Sequence, residues 1–306
     1  MNKKYYALFS LLIILAFIGY IIYDSATSGS GKESQPENAQ EPELPDQWEI
    51  SKDLLSTAGP LLSVTVSESG EIYLGGESYI SCYNNKLLQK WSIKTNGKIT
   101  ALSVYGDTIF AASLETIYLF TLAGKLINEW GPYEANSIIT SISANKDHVA
   151  FADAGIKRVF VLKKNGEVMS MVGQSDQTFI IPSPYFDVAL SGNNTMFIAN
   201  TGNRRIETWS SDGRFIKHFG HPGTAPEAFC GCCNPAHFAV IPQGFVTAEK
   251  GINRIKIVGP EGEFIEFVSS KNNFTPAFPL DVASADGQTI YAVNPEDSKL
   301  YVFKRK

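Results

Sequence analysis

The chain has 306 residues with a formal net charge of -5, and its few basic residues are scattered rather than blocked. A phosphate-tracking surface is therefore not indicated, and nucleic acid is excluded as an expected partner. Aromatic residues make up 12% of the chain and glycine is frequent, a composition that suits short strands joined by tight turns.

The first predicted element is an apolar run from Tyr5 to Tyr23, preceded by Lys3 and Lys4 and followed by Asp24. At ~1.5 Å per residue a helix of this length covers a hydrocarbon core of ~30 Å. Residues 1–24 are thus expected to form a single transmembrane anchor. The two lysines ahead of the run, with no further Lys or Arg until Lys32, place the N-terminus in the cytoplasm and the rest outside, in the periplasm or extracellular space. A cleaved signal peptide is the rival reading; it normally has a shorter apolar region and a small-residue cleavage site. Residues 25–46 are rich in Ser, Gly, Pro, Glu and Gln and have almost nothing apolar to bury, so they read as a disordered linker.

From residue 47 to 306 the sequence repeats. The clearest unit starts at Phe186 and reads strand, turn, strand, Gly-containing turn, strand, Asp212–Gly213 turn, strand, with alternating apolar residues in each run. Four antiparallel strands in ~40 residues make one propeller blade. The same order recurs from Leu62, Thr100, Thr140, His237 and Asp281, giving an all-β, six-bladed β-propeller with four-stranded antiparallel blades. The last unit ends after three strands. Gln47–Ile50, or Leu54 and Leu55, is expected to supply the missing outer strand and latch the ring, since an open edge is an aggregation liability.

The stretch from Ile198 to Gly220, with Thr201–Gly202–Asn203 followed by Arg204–Arg205–Ile206 and then by Asp212–Gly213, resembles the NHL repeat; Gly155–Gly173 and Lys250–Phe267 are weaker copies. NHL-type propellers are often interaction platforms, so the resemblance implies a binding or scaffold module rather than an enzyme.

Aligning the units places Ser63, Thr100, Thr140, Asp187, His237 and Asp281 at the start of the inner strand, and Gly76, Ser113, Asp153, Asn200, Glu249 and Asn294 at the turn into the third strand. Buried polar rings need partners: neighbouring blades, water, a metal or a ligand. Blade-to-blade bonding is the commonest solution; a small molecule or protein at this channel mouth is the functional one. Arg204, Lys250 and Arg254 belong to the same face, either as structural ion pairs or as a rim for an anionic group.

The most unusual segment is Cys230–Gly231–Cys232–Cys233–Asn234–Pro235–Ala236–His237, which holds three of the four cysteines. Thiolates and an imidazole in one loop suit copper, iron or zinc. In an oxidising compartment the same cysteines pair as disulfides, Cys230 with Cys233 or Cys232 with Cys233, or serve as a redox-active thiol pair. Cys82 aligns with a third-strand packing position and reads as inert filler. A weaker resemblance, to the propeller lyases and lactonases, would give metal-binding roles to Asp187, His237, Asp281, Asn200 and Glu249.

Overall fold

A computed structural model describes residues 12–20, 44–174, 178–193, 195–270, 273–274 and 278–306. The chain divides into two units, Met1–Leu44 and Pro45–Lys306. In the first, residues 12–20 are helical, and the apolar side chains from Leu12 to Tyr20 are exposed on every face. Among the described residues no helix is long and apolar enough to cross a membrane. The remainder of the predicted Tyr5–Tyr23 span, and most of the predicted linker, lie outside the described residues.

The second unit is a six-bladed β-propeller built from six four-stranded antiparallel sheets, as the repeat predicts. Its inner strands are Leu61–Val66, Ala101–Tyr105, Ile139–Ala144, Val188–Leu190, His237–Ile241 and Asp281–Ala283. All six line a central channel with a cavity of about 230 Å³. Second and third strands such as Ile72–Gly76 and Tyr79–Tyr83 are wholly buried because both of their faces pack on neighbouring blades. Fourth strands such as Leu126–Trp130 are mostly exposed. The core is therefore distributed between blades, in clusters such as the one joining Phe110, Ile117 and Trp130 of blade 2 to Phe151 and Phe160 of blade 3. In the Asp212–Gly213 turn Gly213 has a φ of 89°, a conformation costly for any residue with a Cβ.

The latch is present. Trp48–Leu55 forms one strand that pairs antiparallel with Lys299–Arg305 as the outer strand of blade 6, with Trp48 opposite Arg305 and an irregularity between Ile50 and Lys52. The strand takes in Trp48–Ile50 of one predicted segment and both residues of the other, Leu54 and Leu55. The chain joins the ring just before it, where the Gln47 amide donates to the Phe267 carbonyl at 3.0 Å.

Candidate functional site at the channel mouth

Each inner strand begins at the same end of the channel, so the six aligned polar residues form a ring there. The structure shows how this ring is stitched. Ser63 Oγ donates to the Ile99 carbonyl at 3.0 Å, Thr100 Oγ1 to the Ile139 carbonyl at 2.7 Å, and Thr140 Oγ1 to the Phe186 carbonyl at 2.6 Å. Each hydroxyl crosses to the next blade. In the remaining arc the chemistry changes. Asp187 Oδ2 accepts from the Phe238 amide at 2.8 Å, and Asp281 Oδ2 accepts from the Val64 amide at 2.8 Å. His237 stands between them, with Nδ1 at 3.7 Å from Asp187 Oδ2 and 3.6 Å from Asp281 Oδ1. Every blade boundary is thus bridged, two by neutral hydroxyls alone, three by ionisable side chains, and the blade 3–4 boundary by both, since Ser141 Oγ also donates to Asp187 Oδ1.

The charged arc is electrostatically coupled. Burial lowers the His237 pKa, but the neighbouring carboxylates of Asp187 and Asp281 outweigh it and hold the imidazole above its ordinary 6.5. Burial pushes the Asp281 carboxyl up from 3.8 to about 6, against the opposing pull of His237. Both shifts act in one direction on folding. Between the ordinary aspartate range and the folded His237 value, the folded chain holds more protons than the unfolded chain. These two groups therefore favour folding at the acid end of that window, and the advantage is lost as pH rises through both folded values.

The second polar ring secures the connections between blades. Asp153 Oδ1 accepts from the Ile138 amide at 2.8 Å, Asn200 Oδ1 from the Ile180 amide at 3.1 Å, and Glu249 Oε2 from the Cys230 amide at 3.0 Å. In blade 6 Asn294 Oδ1 accepts from the Glu296 amide at 3.2 Å and so caps its own turn. The Thr201–Asn203 turn ends at Arg204, whose φ is 54° and whose guanidinium donates to the Gly231 carbonyl at 3.2 Å. Residues Thr201–Arg204 therefore shape a turn that supports the cysteine loop.

Glu249 is also the centre of a buried charge cluster. Arg254 forks onto it, with Nε at 2.7 Å from Oε1 and an NH2 contact of 3.0 Å to Oε2, and Lys256 Nζ lies 3.2 Å from Oε1. The two cations reach into the loop entering blade 5: Arg254 donates to the Ala228 carbonyl at 2.9 Å and Lys256 to the Pro226 carbonyl at 2.8 Å. Burial lowers the Lys256 pKa to about 8, opposed by Glu249. Arg254 is thus a loop anchor rather than a free rim charge. Lys256 carries no sequence signal: alternation with Ile255 and Ile257 ordinarily marks a solvent face, whereas here both faces of the strand are buried.

The anchored loop presents its thiols beside this mouth. Cys233 is buried and Cys232 exposed, and their Sγ atoms are 3.0 Å apart. Cys233 Sγ lies 2.9 Å from Ser183 Oγ. Burial raises its pKa, as does Cys232, while Ser183 and Lys250 pull the other way. Lys250 Nζ lies 4.9 Å over the Tyr185 ring, and Tyr185 meets His237 edge-on at a centroid distance of 6.2 Å. Asn234 bridges the loop to blade 5, accepting from the Lys250 amide at 2.7 Å and donating to the Lys250 carbonyl at 2.9 Å. Ser183 and Tyr185 carry no motif; only the packing of blade 4 beside blade 5 brings them to the loop. Cys82 is fully buried in the third strand of blade 1, and burial raises its thiol pKa to about 11.

The metal readings find no ready ligand set. Nδ1 of His237 faces the two aspartates, Asn200 and Glu249 are engaged with the blade connections, and the close sulfur pair comprises Cys232 and Cys233. Among the described residues, no group of three or more His, Cys, Asp or Glu side chains is placed to hold a metal ion.

The chain matches no protein-family model, and no curated protein matches it. Its fold has counterparts among solved structures. A streptogramin B lyase superposes with a TM-score of 0.61 at 13% identity, covering 85% of this chain and 98% of that one. Virginiamycin B lyase from Staphylococcus aureus superposes with a TM-score of 0.58 at 15% identity, covering 85% of this chain and all of that one. At these identities the likeness is one of fold: this chain carries the propeller that those lyases also use.

Proposed function

We propose that the chain is a membrane-tethered binding module of the cell envelope. On this reading its propeller stands on the extracytoplasmic side, and Asp187, His237 and Asp281 receive a ligand through a cationic or hydrogen-bond-donating group. The observation that carries the reading is the asymmetry of the ring. Neutral hydroxyls stitch three blade boundaries, whereas the other arc uses a buried and a half-buried carboxylate and a half-buried imidazole, groups with a larger desolvation cost, for the same task. That arc lines a cavity of about 230 Å³. Drug-sized ligands occupy ~300–1,000 Å³, so the mouth suits a side chain or a small head group. Thr140 lies on the same ring, and Arg204, Lys250 and Asn294 belong to the blade-turn ring on that face. The tether is supported by Lys3 and Lys4 ahead of the apolar run and by a helix at residues 12–20 that is apolar on every face, a pattern suited to lipid.

A second reading has one specific support. An imidazole whose Nδ1 faces two carboxylates keeps Nε2 for proton transfer, as in an acid–base dyad, and proteins described as streptogramin B lyases share the fold. On that reading His237 takes a proton from a substrate and returns it to a leaving group.

Calorimetric titration of the detergent-solubilised full chain with agmatine, spermidine and a short Arg/Lys peptide tests the binding reading. Saturable binding weakened at least tenfold by the double substitution Asp187→Asn with Asp281→Asn is the expected result. No binding to any of these probes, or binding indifferent to the double substitution, contradicts it. Alkaline carbonate extraction of the producing cells checks the tether: the chain should stay with the membrane pellet, and release into the supernatant would count against an anchor.

A further inference from the structure

We propose that Cys232 and Cys233 are a dithiol that exchanges with an exposed disulfide of a small thiol compound or protein, closing into a disulfide between adjacent residues. This inference is independent of the channel-mouth reading. It rests on how the loop is held. The Cys230 amide is tied to Glu249, the Gly231 carbonyl to Arg204, and Asn234 to both the Cys230 carbonyl and Lys250. Fixed on both sides, the loop keeps the two sulfurs 3.0 Å apart while giving them opposite surroundings. Cys232 is open to solvent and to an incoming disulfide; Cys233 is 2% exposed and closed to it. Thiol–disulfide exchange needs one accessible attacking thiol and one close resolving thiol, and this pair supplies both.

The exchange balances without any other reagent. The Cys232 thiolate attacks one sulfur of the partner disulfide; a mixed disulfide forms and the first partner thiolate leaves, taking up the proton that Cys232 had lost. Cys233 then loses its proton and attacks the Cys232 sulfur. The second partner thiolate departs and takes up that proton. Two electrons pass from the protein to the partner, which ends as two thiols. Ser183 Oγ at 2.9 Å and the nearby Lys250 ammonium are placed to stabilise the Cys233 thiolate in the second step. Cys230 takes no part. The eight-membered ring that results is strained, which makes the oxidised pair easy to reduce and the exchange reversible.

The test uses the full chain incubated with excess oxidised glutathione, then acid-quenched, alkylated and peptide-mapped. The wild-type protein is expected to lose two of its four thiols, keep no glutathione, and show the link between Cys232 and Cys233. Cys230→Ser is expected to behave identically, while Cys233→Ser stops at the first step and carries one glutathione on Cys232. A link through Cys230, a lasting glutathione adduct on the wild type, or no loss of thiol overturns the proposal. Should Cys233→Ser fail to fold, the wild-type map decides alone.

Discussion

Replacing Glu249 by Ala is expected to lower the free energy of unfolding by about 3–5 kcal/mol, the usual cost of removing one partner from a buried ion pair. The reason is specific to this cluster. Arg254 and Lys256 are almost wholly removed from solvent, and Glu249 is the carboxylate that meets both. Lys256, with its pKa already lowered to about 8 by burial, can shed its proton once Glu249 is gone. Arg254 cannot. The substitution therefore leaves a guanidinium charge uncompensated and frees the Cys230 amide that Glu249 held. Pairing Glu249→Ala with Arg254→Met removes the orphaned charge and should recover a good part of the loss. Urea melts of the two variants at neutral pH make the comparison. A Glu249→Ala loss below about 1 kcal/mol, the scale of an ordinary surface change, would show that the cluster does not anchor the loop.

Trp48→Ala should be comparably damaging, at about 3–5 kcal/mol for a buried Trp-to-Ala change. Trp48 is 2% exposed and packs with Ile255 and Val268 of blade 5 and with Val282 and Phe303 of blade 6. Its indole N–H donates to Glu266 Oε1 at 2.9 Å, and Arg305, paired to the same carboxylate, stacks over its ring at 5.4 Å. One side chain thus joins the latch strand to two blades. At the other end of that strand Leu55 is 58% exposed, and Leu55→Ala should change stability by no more than about 0.5 kcal/mol. Equal effects at both positions in chemical denaturation would argue that the strand adds an edge without closing the ring.

Much of the ring was legible in the sequence because blades repeat a local pattern. Alternating apolar runs and turn residues placed the inner-strand starts at Leu62, Thr100, Thr140 and His237, against observed starts at Leu61, Ala101, Ile139 and His237. The same alignment identified both polar rings, since equivalent positions in a propeller converge at one end. What it could not supply was direction. Glu249 and Arg254 look in sequence like a solvated rim, but they fold beneath the loop they anchor, because Arg254 donates to the carbonyls of Thr224 and Ala228 many residues upstream and Glu249 accepts from the Cys230 amide. Sequence proximity suggested joining His237 to the three loop cysteines. In the folded chain its Nδ1 is drawn instead to carboxylates from blades 4 and 6, which the packing of consecutive blades brings to either side of it. Ser183 and Tyr185 escaped notice for the same reason: they lie on the connection into blade 4, and their importance comes from what the neighbouring blade brings to them.

The central claim is that the arc of Asp187, His237 and Asp281 behaves as one coupled acid–base unit at the mouth of the channel. Its most direct test is a pH titration of the His237 ring nitrogens by NMR in the full chain, assigned with His237→Gln and repeated in Asp281→Asn. A midpoint above the ordinary 6.5, with the proton on Nδ1 in the neutral form, is expected in the wild type, and a lower midpoint in Asp281→Asn, where burial is less opposed. A wild-type midpoint at or below 6.5 that does not respond to Asp281→Asn would contradict the account.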